Sequence, residues 1–128
     1  MSQVYDPQTT PVLDASTIQQ LLDLDDGALG LLEEMVDIYR TDMPDRFRAL
    51  EATLDGDSLS EVAEVAHALK GAAGTMGAPR ARAVAAVMEG GSRKGELTFE
   101  HLRELAAELR ASYDESLAAL EAYLAERR

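Results

Sequence analysis

Residues 66–78 read AHALKGAAGTMGA and set one histidine, His67, on an alanine-rich helix with Lys70 one turn later. A neutral imidazole keeps a free lone pair near pH 7, so an exposed histidine can attack an electrophile without a separate base. A lysine one turn away would supply a point charge to the oxygens of an arriving phosphoryl group. Gly71, at i+4 from His67, removes a side chain that would cover the next turn and so opens the face to a partner. Gly71, Gly74 and Gly77 each weaken a helix interior by roughly 1 kcal/mol relative to alanine, which points to a gain in exposure. Glu89, on the following helix, is the candidate to accept a hydrogen bond from the second ring nitrogen. That bond would fix the tautomer and aim the reactive nitrogen outward.

Spacing alone leaves a second reading open, in which His67 is a structural residue or a bystander. A histidine metal site is disfavoured, because no other histidine stands at i+3 or i+4 and His101 is far along the chain. Asp23, Asp25, Asp26 and Gly27 have the wrong spacing for a calcium loop. Tyr39, Tyr113 and Tyr123 fall at or beside apolar helical positions and read as packing. An enzyme using His67 as a general base lacks a second catalytic group.

The elements that must carry these residues follow from apolar periodicity. A short helix capped at Asp14 or Ser16 offers Ile18, Leu21 and Leu22, and ends at Asp25, Asp26 and Gly27. Leu29, Leu32, Val36, Tyr39, Met43, Phe47, Leu50 and Leu54 define the next helix, which Pro44 is expected to kink or split. Ser58 and Glu61 form a capping box for the histidine helix, whose core stripe is Leu59, Val62, Ala66, Leu69, Ala73 and Met76. His67 lies one residue past that stripe, with Lys70 and Gly74 on the same flank. Gly77 and Pro79 make a short antiparallel connection to a helix with Ala81, Val84 and Met88 inward. Glu89 lies one residue past Met88, so the two polar groups can share a rim. Gly90 and Gly91 are expected to stop that helix and GSRKGEL to form a mobile basic loop. Thr98 then caps a helix with Leu102, Leu105, Leu109, Tyr113, Leu117, Leu120 and Leu124 inward. The expectation is an all-α fold: an antiparallel four-helix bundle with a short extra N-terminal helix. Residues 1–13, with Pro7 and Pro11, read as a flexible N-terminal arm, and residues 14–128 as one helical domain.

Composition narrows the partners. The chain of 128 residues is 46% hydrophobic, enough for one core, and has no cysteine for a disulfide or a thiolate metal site. It has no basic, apolar leader and no membrane span, so a cytoplasmic protein is expected. The net charge of -12 argues against nucleic acid. That charge is uneven: residues 66–94 hold one acid and five bases, Lys70, Arg80, Arg82, Arg93 and Lys94. An anion handled by His67 would meet a favourable local field. No phosphate-cradling glycine loop is present.

The stretch AHALKGAAGTMGA resembles the signature of histidine-containing phosphotransfer (HPt) domains of multistep phosphorelays. The similarity extends through LLEEMVDIYRTDMPDRFRALEATL before it and VMEGGSRKG after it. The resemblance implies that His67 is phosphorylated, that Lys70 is the basic helper and that Glu89 holds the ring. Arg93 matches a position where members carry a basic residue near the phosphoryl group. Ala72 departs from the serine found in many members. The implied function is relay of a phosphoryl group between receiver-domain aspartates, with a hybrid histidine kinase upstream. ATP and metal would not be needed on this chain, because the receiver would supply the magnesium ion. Docking is expected around His67 on Gly71, Ala68, Gly74, Arg93, Leu31 and Leu24, by a monomer. The alternative is a non-phosphorylated helical adaptor that binds or sequesters a receiver or kinase.

Overall fold

The computed structural model describes residues 4–128. The Asp14 side chain accepts the Ser16 N–H at 3.2 Å, which satisfies a donor the helix itself leaves free and starts α1 (Ala15–Asp23). The other four helices are α2 (Gly30–Leu54), α3 (Leu59–Thr75), α4 (Pro79–Lys94) and α5 (Phe99–Arg127). Ser58 caps α3 through the Glu61 N–H, and Thr98 caps α5 through the His101 N–H. Among the described residues there is no strand.

Short connections return each helix alongside the last, and α2 to α5 close into a four-helix bundle. In it α3 packs most extensively on α4, α2 lies against α3 and α5, and α4 also meets α5. The apolar stripes read from periodicity are the core: Leu32, Val36, Met43 and Leu50 of α2 meet Val62, Ala66 and Leu69 of α3. Val84 and Met88 of α4 and Leu102, Leu109, Leu120 and Leu124 of α5 complete it. The extra helix α1 buries Ile18, Leu21 and Leu22 against this bundle.

Two expectations are corrected. Pro44 does not split α2, which runs unbroken from Gly30 to Leu54. The stripe on both sides of it, Tyr39, Met43, Phe47 and Leu50, is buried, and that packing outweighs the lost backbone donor. Gly90 and Gly91 do not stop α4, which continues to Lys94, so the segment expected as a mobile loop is helical through residue 94. The stop is Gly95 at φ +68°, where Gly95 N–H reaches Ser92 O and Glu96 N–H reaches Gly91 O. Gly91 serves close approach instead: Leu97 folds over it and occupies the space of a Cβ.

Of the N-terminal arm expected over residues 1–13, residues 1–3 lie outside the described residues. Residues 4–13 form no helix but lie on the bundle. Arg80 donates to Thr10 O at 2.8 Å and Pro7 O at 3.1 Å and stands over the Tyr5 ring.

Candidate functional site

The α3–α4 hairpin brings His67, Lys70, Glu89 and Arg93 together. Its turn is tight because Gly77 adopts φ +67°, and the Ala78 and Gly77 N–H groups close on Ala73 O and Gly74 O. Pro79 then opens α4 at a position that needs no N–H donor. With both core stripes seated, the residues one step past them meet on one rim of the hairpin.

The hub is Glu89, whose side chain is only 10% exposed. Its Oε2 lies 2.8 Å from His67 Nδ1 and 2.9 Å from an Arg93 nitrogen, and its Oε1 lies 2.6 Å from Lys70 Nζ. Lys70 foremost, then Arg93 and His67, hold the Glu89 carboxyl down at about 2 against the opposing effect of burial. A carboxylate at that value accepts hydrogen bonds and donates none. Nδ1 of His67 therefore carries the proton, and in the neutral ring Nε2 keeps the lone pair. The His67 side chain is 64% exposed, so the ring lies open to solvent while one edge is anchored.

The open ground beside the ring is Gly71, where a Cβ would meet nothing within 4 Å. Ala68 is half-buried on the same helix. Gly74 is not open in this way, because the Arg82 Cδ and Nε stand 3.3 Å from the position of a Cβ there. Arg93 is exposed but tied to Glu89. Leu24 is exposed at the C-cap of α1 and Leu31 is half-buried in the first turn of α2. Met35, Ile38, Asp42 and Arg46 of α2 line a groove with Ala72, Thr75 and Met76. Ile38 is 51% exposed there, and sequence reasoning missed it. Its signal was available: an isoleucine on α2 outside the stripe of Val36, Tyr39 and Met43 has no core position to fill.

No helix among the described residues is long and apolar enough to cross a membrane. His101 is exposed in the first turn of α5, while Tyr39 and Tyr113 are buried in the core. Comparison with curated proteins and with solved structures finds no match. A family model described as Hpt domain matches residues 34–126. That span holds nearly all of α2, the whole hairpin with its histidine hub, and α5 almost to its end. The chain thus belongs to the Hpt domain family, helical carriers that work with histidine kinases and receiver domains in phosphorelays.

Proposed function

We propose that this chain relays a phosphoryl group between receiver-domain aspartates through a phosphohistidine at His67. The observation that carries the reading is the anchored and exposed ring: Nδ1 held by Glu89 at 2.8 Å, with the other nitrogen free on a side chain open to solvent. In the loading step the Nε2 lone pair forms the new P–N bond as the P–O bond of the aspartyl phosphate breaks. The bonding electrons leave with the aspartate carboxylate. The proton stays on Nδ1, so the phosphorylated ring is cationic and faces the Glu89 carboxylate, which stabilises it. Transfer to a second aspartate reverses these changes. Lys70 and Arg93, already side by side at Glu89, are the cations within reach of the transferred oxygens. Such transfer depends chiefly on alignment and charge neutralisation, which a rigid two-helix rim can provide.

The reading assigns no ATP or metal site to this chain and leaves the magnesium ion to the receiver. Gly71, Ala68 and the α2 groove beside Ile38 form its docking ground. It works as a monomer in the cytoplasm, between a hybrid histidine kinase and a receiver. The decisive experiment mixes the protein with phosphorylated receiver domains and follows acid-labile label. His67→Gln is expected to lose at least a hundredfold of the labelling while its circular dichroism stays helical. Label that persists in His67→Gln refutes the assignment. Receiver binding without label in the wild-type protein would favour an adaptor.

A further inference from the structure

Five bases lie between residues 66 and 94, and three of them are already engaged within the molecule. Lys70 and Arg93 bind Glu89, and Arg80 binds Glu115 at 2.9 Å together with the Thr10 and Pro7 carbonyls. Lys94 closes α4, where the last carbonyls of a helix favour a cation. Arg82 is exposed and has no acidic partner among the described residues. Asp14 lines the same shallow cleft, but its carboxylate takes the Ser16 N–H and the Thr17 hydroxyl.

The Arg82 side chain is nonetheless placed. Its Cδ and Nε cross directly over Gly74, at 3.3 Å from where a Cβ would be. Gly74 stands at i+7 from His67, nearly two full turns, so both point from the same face of α3 about 10 Å apart. Between them lies the bare surface of Gly71. A partner that brings its phosphoryl group to His67 across Gly71 would reach Arg82 with the edge of its own surface.

We infer that Arg82 is a docking residue whose guanidinium, laid over Gly74, pairs with a carboxylate at the edge of the receiver-domain surface that brings its phosphorylated aspartate to His67. This rests on the phosphotransfer reading above. The argument is charge complementarity. The chain as a whole carries -12 and repels an anionic surface, whereas the hairpin holds five bases to one acid and presents Arg82 uncommitted. A planar fork also fixes the orientation of a carboxylate better than an ammonium can. A rim charge of this kind acts on encounter and on salt dependence, not on the chemical step.

The test uses the full chain and the receiver domain that transfers fastest to it from a panel of phosphorylated receivers. Arg82→Ala is expected to raise the donor concentration for half-maximal transfer roughly five- to tenfold, with the saturated rate unchanged and a shallower dependence on salt. Arg82→Lys should recover only part of the loss, and Arg82→Glu should exceed it. Phosphoramidate serves as a small donor that needs no docking: the His67 Nε2–P bond forms, the P–N bond of the donor breaks and ammonia leaves. Its labelling rate should be equal in all four proteins. Wild-type protein labelled by neither donor overturns the phosphotransfer reading and this inference with it. Normal labelling with unaltered half-maximal concentration and salt dependence in Arg82→Ala and Arg82→Glu overturns the docking role alone. A fall in phosphoramidate labelling also overturns it, because Arg82 would then act on the ring or the fold.

Discussion

Glu89 joins three partners with one carboxylate, and its depressed pKa makes acid stability a readout of that hub. A carboxyl held at about 2 against an ordinary value of 4.5 is ionised more readily in the folded chain than in the unfolded one. Its contribution is therefore fully present above pH 4.5 and is lost as pH falls through about 2. Glu89→Gln keeps an acceptor for His67 but leaves Lys70, 27% exposed, without its counter-charge. Urea unfolding at a series of pH values should show wild type more stable than Glu89→Gln above pH 4.5. The margin should shrink toward pH 2, and one that grows there would contradict the origin of the shift. The meeting of His67 with Glu89 was legible in the sequence, since each stands one residue past a core position of a tight hairpin. The convergence of Lys70 and Arg93 on that same carboxylate was not. Side-chain torsions choose it, and apolar periodicity carries no information about them.

Two glycines on neighbouring helices separate access from packing. A methyl group at Gly71 would touch nothing, so Gly71→Ala should stabilise α3 by about 0.5–1 kcal/mol, seen as a higher Tm. The same methyl would stand on the ground beside His67, and transfer from a phosphorylated receiver should slow; an unchanged rate would remove Gly71 from docking. At Gly91 the added methyl would overlap Leu97, so Gly91→Ala should cost about 1–3 kcal/mol in chemical denaturation. Helix caps and turns were legible wherever one residue's own chemistry decides them, as at Asp14, Ser58, Gly77, Pro79 and Thr98. The ends that depended on contacts from elsewhere were not. Gly90 and Gly91 look like a stop until Leu97 is seen lying on the second of them, and Pro44 looks like a break until the buried stripe around it is seen. The placement of Ile38 beside α3 was not legible for a related reason, because helix register across the bundle, not hydrophobicity, sets which α2 residues border α3.

Across the whole molecule, α2 and α5 are joined by a buried polar lock. The Ser116 hydroxyl donates to Tyr113 O at 2.7 Å, so its single proton is used and Tyr39 must donate to Ser116 Oγ across 2.9 Å. Tyr113 in turn donates to Tyr39 O at 3.3 Å, and the two rings meet edge to face at 5.0 Å. Burial pushes the Tyr39 hydroxyl up to about 12 from its ordinary 10.0, the Ser116 hydrogen bond opposing and nearby Tyr113 adding to the rise. The neutral form is therefore favoured in the folded state, and stability present below pH 10 is lost as pH rises through about 12. Tyr39→Phe should lower stability by about 1 kcal/mol at pH 7 and flatten this alkaline decline, as measured by denaturant midpoints from pH 7 to 11. The bundle itself was legible from its stripes, whereas this lock was not, because its tyrosines sit at positions that apolar packing alone would explain. The placement of α1 has a practical corollary. It seals Ile18, Leu21 and Leu22 onto the bundle and is pinned at its start, where the Asp14 N–H meets Gly77 O at 2.8 Å and Thr17 packs on Gly77. A fragment excised to the span that the family model matches, residues 34–126, would lose this roof and wet the apolar surface beneath it. Any graft of the domain into a fusion protein should therefore keep the chain from at least Asp14 onward.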